Sequence, residues 1–149
     1  MEILEITGDK KKYISLLLLA DEQENMIDRY LERGTMYVLF DNQVKCECVV
    51  TDEGNGILEI KNIATEPAYR GMGYGKALLE YIAHKYKDKY AIMQAGTGDS
   101  PLTIPFYEKC GFTRSHMVKN FFTDNYDHPI YEGGVQLVDM IYLKKNLDA

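Results

Sequence analysis

The sequence contains little of what several large protein classes require. Tryptophan is absent, and the 149 residues include only three cysteines, three histidines and four prolines. The longest apolar run, Ile14 to Ala20, is interrupted by Ser15 and is far shorter than the ~20 residues that a membrane-spanning helix needs. The first six residues also lack the cationic start of a secretory signal. We therefore expect no membrane segment and a cytoplasmic location.

The cysteines and histidines are too few and too scattered for a metal centre or a disulfide framework. Cys46 and Cys48 are two positions apart, so on a strand they share one face as small apolar residues. An odd number of cysteines without a signal peptide indicates reduced thiols. No C-x-x-C or H-x-x-x-H pattern is present, so we expect no bound metal.

The charge balance argues against a nucleic-acid partner. Lysine and arginine total 17 against 23 aspartates and glutamates, which gives a net charge of −6 without any basic run. Binding to phosphate backbones requires many cationic contacts. Hydrophobic residues make up 46% and charged residues 27%, both close to globular averages. The length suits one domain, which we predict to span residues 1–149.

The first half of the chain has the pattern of an antiparallel meander with two helices. Asp21 and Glu24 have the spacing of a capping box at the start of the second helix. Alternation in the third strand predicts one buried face, with Lys45 and Glu47 on the opposite one. The predicted strands cover 2–7, 35–41, 44–51 and 57–65, and the predicted helices cover 10–20 and 21–34.

The pattern changes after residue 65. A glycine-rich turn at 70–76 leads into a helix to about Tyr86, and a strand follows over 90–95. Strand, turn, helix and strand form a βαβ unit, whose two strands run parallel through a right-handed crossover. A helix near 101–110, a strand near 112–120, a long loop and a strand over 135–144 follow. We predict an α/β fold with a mixed, mostly antiparallel sheet and a central parallel βαβ unit flanked by helices.

The turn between the predicted parallel strand and its helix is the most informative segment. Gly71, Gly73 and Gly75 alternate there, which permits a tight turn with successive N–H groups close to a bound anion. The helix dipole adds to this attraction, and Arg70 and Lys76 flank the turn. The pattern indicates a pyrophosphate site. The spacing matches neither a Walker A loop nor a Rossmann fingerprint, and a glycine-rich connection without a ligand is the alternative.

Three segments together resemble a known family. Arg70-x-x-Gly73-x-Gly75, followed by Ala77-Leu78-Leu79, resembles motif A (Q/R-x-x-G-x-G/A) of the GNAT family of acetyl-CoA-dependent N-acyltransferases. The segment 60–69 is similar to the family's preceding strand and loop. Residues 106–112 resemble its later Y-E-K-x-G-F segment. The resemblance is most specific over 57–112, and at both ends it concerns only the order of elements.

The resemblance implies acetyl-CoA as the co-substrate and places its contacts. The strand before motif A separates from the next parallel strand, and the pantetheine arm enters the gap and pairs with exposed main chain. An N–H group near the start of that contact would also polarise the thioester oxygen. The family often has an asparagine where this chain has Ser100. The implied contacts are Ile63, Ala64 and Thr65 for pantetheine, Ser100 beside it, and Arg70, Gly71, Met72, Gly73, Tyr74, Gly75 and Lys76 for the pyrophosphate.

Two residues are implied in the chemistry. A primary amine is protonated at neutral pH and must lose a proton before it attacks a thioester. Some family members have a catalytic glutamate eleven residues before motif A, where this chain has Glu59, and the alternative is a surface carboxylate paired with Lys61. The family's tyrosine at the position of Tyr107 protonates the departing thiolate, and the alternative is a core aromatic. Pro105 lies close by and favours a late start of that helix.

The acceptor is left open by the sequence. The loop over 120–134 combines aromatic and acidic residues, which suits a cationic amine, although solvated charges or dimer contacts explain it equally well. We predict an N-acetyltransferase that uses a ternary complex and acts on a primary amine of a small molecule or peptide, as a possible homodimer. An inactive acyl-CoA-binding module and a nucleotide-binding protein are the alternatives.

Overall fold

A computed structural model describes residues 1–147. Its strands are β1 (Glu2–Ile6), β2 (Thr35–Asp41), β3 (Gln43–Asp52), β4 (Ile57–Thr65), β5 (Ile92–Gly98), β6 (Thr113–Val118), β7 (Tyr131–Glu132), β8 (Val135–Gln136) and β9 (Met140–Asn146). Its helices are α1 (Ile14–Ala20), α2 (Glu24–Ile27), α3 (Tyr74–Tyr86), α4 (Ile104–Lys109) and α5 (Phe121–Asn125), with 3₁₀ turns at Lys10–Tyr13 and Pro67–Tyr69. Within this part of the chain, every helix is too short or too polar to cross a bilayer.

Seven strands form one mixed sheet in the order β1-β2-β3-β4-β5-β9-β6. The β4–β5 pair is parallel, and the other neighbours are antiparallel. The crossover from β4 to β5 runs through α3, as a parallel connection requires. β7 and β8 form a separate two-stranded hairpin. The predicted mixed sheet with a central parallel βαβ unit is confirmed.

The sheet carries a hydrophobic core on each face. On one face α3 packs Leu78, Leu79 and Ile82 against a group that includes Cys46 and Cys48. On the other face, residues of the segment between β1 and β2 pack against the sheet. Those of the segment are Leu17, Ile27, Tyr30 and Leu31, and those of the sheet are Met36, Val38 and Val49. The predicted grouping of Cys46 and Cys48 on a buried face is therefore confirmed.

Burial on both faces contradicts one prediction for β3. Lys45 and Glu47 were expected on a solvent-facing side, yet they are 8% and 0% exposed. Glu47 is buried because α1 packs across the face that the alternation assigned to solvent. Lys45 is the extra residue of a bulge in β3, and its ammonium lies 3.3 Å from the centre of the Tyr69 ring. Strand periodicity predicts which residues share a face, but it does not show what covers that face.

The chain also departs from the predicted pattern at the ends of several elements. The predicted capping box is wrong, because α2 begins after Gln23 and has no side-chain cap. The expected long loop over 120–134 contains α5 and the β7–β8 hairpin. The last strand of the main sheet begins at Met140 rather than Val135. By contrast, the bounds predicted for β4 and the end of α3 agree with the structure.

Candidate active site

The two parallel strands in the middle of the sheet separate along their length. β4 and β5 pair from Ile57 and Ile92 as far as Ile60 and Ala95. Beyond this point β4 keeps its pairing with β3, and β5 keeps its pairing with β9 as far as Gly98. Each strand thus presents one main-chain edge to a gap between them. Such an edge can pair with an extended ligand as an added strand would.

A bulge in β4 accompanies the separation. Val49 pairs with Asn62 and Val50 pairs with Ile60, so Lys61 is an extra residue in β4. Bulges bend a strand and increase its local twist. The bend occurs one residue beyond the last parallel pair, which is where the gap begins.

The glycine turn lies at the N-terminus of α3. Gly71 and Gly73 have φ values of 77° and 87°, a left-handed conformation that favours glycine. The first helical bond joins the Ala77 N–H to the Gly73 carbonyl at 3.0 Å, so the amides of Tyr74, Gly75 and Lys76 precede the helical ladder. A Cβ atom on Gly71 or Gly73 would meet nothing within 4 Å. The turn therefore offers free amides beside open space, as a pyrophosphate requires.

Gly75, unlike Gly71 and Gly73, lies where two elements pack closely together. A Cβ atom there would lie 3.2 Å from the ring of Phe106 and 3.6 Å from Thr65 Oγ1. These distances show that α3 passes close to α4 and to the end of β4 at this position. The missing side chain permits the approach of the helix to the gap.

The polar side chains around the turn differ in their exposure and in their hydrogen bonds. Arg70 is exposed and its Nε donates to the Thr65 carbonyl at 3.4 Å. Lys76 is exposed, with Nζ 4.0 Å from Glu80. Tyr74 donates a hydrogen bond to Asp41 at 2.8 Å, which ties the turn to the β2–β3 hairpin. The two cations are thus available to an anion at the turn.

Glu59 is buried and paired. It is 4% exposed, its Oε1 accepts from Gln94 Nε2 at 2.6 Å, and its Oε2 lies 2.5 Å from Lys61 Nζ. The alternative of an ion pair with Lys61 is therefore present, but in the interior rather than on the surface. Glu59 pairs with Gln94, one position before the last parallel pair of β4 and β5, and is therefore close to where the gap opens.

Tyr107 lies in the core next to the gap. It is 6% exposed and packs edge-to-face with Phe106 and Phe112 at ring distances of 5.3 and 5.5 Å. Its hydroxyl makes no hydrogen bond to any of residues 1–147. Burial raises the pKa of Tyr107, so the phenol is neutral at physiological pH. Pro105 occupies the first turn of α4, which begins at Ile104, so the late start of this helix is confirmed.

Ser100 begins the turn that leads into α4. It is 2% exposed, and its Oγ accepts the Leu102 N–H at 3.0 Å. A contact of Ser100 with pantetheine stays a prediction. No three His, Cys, Asp or Glu side chains among residues 1–147 are grouped as a metal site requires.

A buried polar chain on the α1–α2 face was missed from the sequence. The Asn62 Nδ2 donates to the Leu17 carbonyl at 3.0 Å and to the Tyr30 hydroxyl at 3.1 Å. The Tyr30 hydroxyl in turn donates to Asp21 at 3.0 Å, and Tyr126 donates to the other Asp21 oxygen at 2.7 Å. Burial raises the pKa of Asp21, although both tyrosine bonds oppose the shift. The sequence signal for this series of hydrogen bonds is the apolar face of α1. A helix with such a face must pack against the sheet and so brings its neighbours close to β4.

The segment after α5 is joined to the α1–α2 connection by further bonds. The Asp127 N–H donates to Gln23 at 3.1 Å. His128 lies between two carboxylates, with Nε2 2.9 Å from Glu22 and Nδ1 2.5 Å from Asp127. Segments more than 100 residues apart in sequence thus meet on this side of the sheet. Together they form an acidic surface that contains Asp21, Glu22 and Asp127.

Comparisons with known proteins agree with this geometry. Residues 32–114 match the family model described as the acetyltransferase (GNAT) domain. The chain is 34% identical over 150 residues to the uncharacterized N-acetyltransferase YvbK of Bacillus subtilis (strain 168), which covers 99% of this chain and 96% of that protein.

Solved structures give the same result. A GNAT family acetyltransferase from Elizabethkingia anophelis with acetyl-CoA bound is 36% identical, covers 97% of both chains and superposes with a TM-score of 0.90. A Bacillus subtilis acetyltransferase in complex with CoA is 32% identical over 97% of both chains, with a TM-score of 0.87. The matched family model, the near full-length relatives and the gap beside a glycine turn lead to one conclusion: this chain belongs to the GNAT family of acetyltransferases.

Proposed function

We propose that this chain is an N-acetyltransferase that moves the acetyl group of acetyl-CoA to a primary amine of a small molecule or peptide, by direct transfer in a ternary complex. The observation that carries the proposal is the separation of β4 from β5 beyond Ile60 and Ala95, beside the glycine turn of α3. The gap can hold the extended pantetheine arm and the glycine turn can hold the pyrophosphate, and the two features lie side by side. Two similar proteins of known structure bind acetyl-CoA or CoA.

The turn and the β4 edge supply the binding groups. The amides from Gly71 to Lys76 and the cations of Arg70 and Lys76 hold the pyrophosphate. The main chain of Ile63, Ala64 and Thr65 pairs with pantetheine, and Ser100 contacts it as well. An N–H group near Ile63 polarises the thioester oxygen, where negative charge develops during attack.

Two side chains move protons in this proposal. Glu59 accepts the proton of the attacking amine, directly or through a water, and the amine nitrogen forms the C–N bond as the C–S bond breaks. Tyr107 donates its hydroxyl proton to the departing thiolate and regains one from solvent. Its burial keeps the phenol protonated until that moment, and its hydroxyl has no competing partner among residues 1–147.

Incubation with acetyl-CoA and a panel of primary amines tests the activity. Release of free thiol together with an acetylated amine is the expected result. Binding of acetyl-CoA without turnover of any amine would favour the inactive acyl-CoA-binding module instead. A cytoplasmic location and a homodimer stay predictions, to be checked by cell fractionation and by light scattering.

A further inference from the structure

The β7–β8 hairpin folds back over the end of β5. Gly133 and Gly134 form its two-residue turn, with φ values of 58° and 78°, as a tight hairpin turn of this kind requires. A Cβ atom on Gly133 would lie 3.3 Å from the Leu102 side chain, and one on Gly98 would lie 2.5 Å from Leu137. The hairpin segment therefore packs against the chain from the last residue of β5 to the turn that leads into α4, where the gap between β4 and β5 ends.

Glu132 is the acidic residue of this hairpin and directly precedes its turn. It is half-buried, and the next residue, Gly133, lies against Leu102. The Leu102 N–H in turn donates to Ser100 Oγ at 3.0 Å, so the hairpin turn lies beside the residue that we expect to contact pantetheine.

The electrostatic interactions of Glu132 agree with this position. Burial raises the pKa of Glu132, and a hydrogen bond from the Ser100 hydroxyl opposes the rise. Burial, together with weaker contributions that include the charge of Glu132, raises the pKa of Tyr107. The Glu132 carboxyl is therefore close to the residue proposed to protonate the departing thiolate.

Glu132 has no cation to balance its charge within the described part of the chain. No lysine, arginine or histidine among residues 1–147 makes an ion pair with it. A half-buried carboxylate without a cationic partner is unfavourable as a charged group. A bound ammonium supplies both the opposite charge and N–H donors. The position therefore suits the amino group of an acceptor.

Exposed apolar side chains lie next to this carboxyl. Val135 pairs with Glu132 across the hairpin, so the two side chains project to the same face. Val135 is 43% exposed, and Leu102, which contacts the hairpin turn, is 61% exposed. A carboxylate beside exposed apolar groups complements a cation on an apolar substituent. The same apolar groups leave the hydroxyls of a sugar without partners.

We infer that Glu132 binds the amino group of the acceptor, and that this acceptor is a primary amine on an apolar group, such as an arylalkylamine, rather than an amino sugar. The inference rests on the proposed acetyltransferase function and specifies its substrate class. The ammonium lies between the Glu132 carboxylate and the thioester, and its apolar substituent contacts Leu102 and Val135. Glu132 acts before proton transfer, by binding the amine from which Glu59 accepts the proton.

Acetylation of 2-phenylethylamine and of glucosamine tests the substrate class. Both are primary amines, but one has an apolar substituent and the other a substituent rich in hydroxyls. We expect kcat/KM to be at least about tenfold higher for 2-phenylethylamine, because burial of an apolar group favours the matching substrate by this amount or more. An equal or higher kcat/KM for glucosamine would overturn the assignment of the substrate class.

Steady-state kinetics of Glu132→Gln test the role of the carboxylate, with the amine that the wild-type protein acetylates fastest. Glutamine keeps the shape and can still bond to Ser100, but it removes the charge. We expect KM for the amine to rise at least about tenfold, while kcat and KM for acetyl-CoA stay within about twofold. Glu132→Asp should recover part of the loss. Glu108→Gln on α4 removes an exposed carboxylate and is the matched control, which should change none of these constants.

The remaining outcomes separate this inference from the proposed function. If the wild-type protein acetylates amines and Glu132→Gln leaves the amine KM unchanged, Glu132 does not bind the acceptor and the proposed function stands. If no amine is acetylated, the proposed function fails and this inference fails with it.

A variant of Leu102 distinguishes the acceptor from a second copy of the chain as the group that covers these apolar side chains. Leu102→Ser should raise KM for 2-phenylethylamine without changing the molecular mass measured by light scattering. Loss of a dimer with an unchanged KM would assign this surface to contacts between two copies and overturn the inference.

Discussion

At the scale of single residues, the two side chains proposed to move protons, Glu59 and Tyr107, are held in different ways. Glu59 has a partner on each carboxylate oxygen, whereas Tyr107 is held by ring contacts with Phe106 and Phe112. Substitution of Glu59 and substitution of Tyr107 should therefore have different effects.

Glu59→Gln should lower kcat with little change in the affinity for acetyl-CoA. Removal of a general base lowers turnover by roughly 10²–10⁴-fold, because the amide no longer accepts the amine proton. Stopped-assay kinetics and calorimetry measure the two effects. Glu53→Gln is a suitable control, since Glu53 is also ion-paired, to Arg33 at 3.0 Å, but lies in the β3–β4 turn. An unchanged kcat would remove Glu59 from the mechanism.

Tyr107→Phe should preserve the fold and slow turnover. The ring contacts with Phe106 and Phe112 remain, and the lost hydroxyl makes no bond to residues 1–147, so the melting temperature should change little. The proton donor for the thiolate is lost, which we expect to lower kcat about 10²-fold, most strongly for poor acceptors. Wild-type kcat in this variant would show that Tyr107 is only a core aromatic.

At the scale of elements, separate predictions follow for the glycine turn before α3 and for the contacts of His128 with Glu22 and Asp127 after α5. The first concerns binding of the co-substrate, because the amides and the open space at Gly71 and Gly73 form the proposed phosphate site. The second concerns the stability of the segment after α5, because His128 joins this segment to the α1–α2 connection.

Gly73→Val should weaken the binding of CoA by at least about tenfold, equivalent to ~1.4 kcal/mol. The added side chain occupies the open space beside the free amides. Gly54→Val provides a matched control, since Gly54 has a similar φ of 82° and equally open surroundings but lies in the β3–β4 turn. Both variants carry the same backbone strain. Equal CoA affinities in the two variants would contradict a phosphate site at Gly73.

The contact of His128 with the α1–α2 connection should depend on pH. Hydrogen bonds to Asp127 and Glu22 raise the pKa of His128 above 6.5. Because the folded pKa is raised, the stabilisation is fully present below about pH 6.5 and is lost as pH rises through the higher folded value. Hydrogen exchange of the amides over 126–130 should therefore be faster, relative to intrinsic rates, at pH 8 than at pH 6.

A matched pair of variants checks the assignment of that pH dependence. His128→Gln should abolish it, whereas His84→Gln on α3, a histidine outside this acidic surface, should leave it unchanged. Persistence of the same pH dependence in His128→Gln would show that another group controls the opening of this segment.

At the scale of the whole molecule, the sequence predicted the centre of the fold better than the side covered by α1 and α2. The limits of β4 and the parallel crossover follow from local patterns in residues 57–95, including the alternating glycines. The burial of Glu47 does not, because it depends on α1 packing across β3 from a distant part of the chain. Local alternation placed Glu47 correctly opposite the cysteines but could not show that this second face is covered.

The capping prediction at Asp21 failed for a similar reason. Aspartate before a helical pattern usually caps the helix, but Tyr30 and Tyr126 both donate to this carboxylate. Tyr126 is 105 residues away in sequence, so local spacing gives no indication of the contact. Sequence patterns therefore predict the β4–α3–β5 unit well and the α1–α2 side of the sheet poorly, since that side is assembled from distant segments.

We propose that the amides before α3 and the gap between β4 and β5 together bind coenzyme A. Calorimetric titration of the wild-type protein with CoA and, separately, with ATP tests it most directly. Both ligands offer phosphates to the turn, but only CoA has an arm for the gap, so CoA should bind more tightly and Gly73→Val should weaken it. No heat with millimolar CoA, or tighter binding of ATP, would contradict the account.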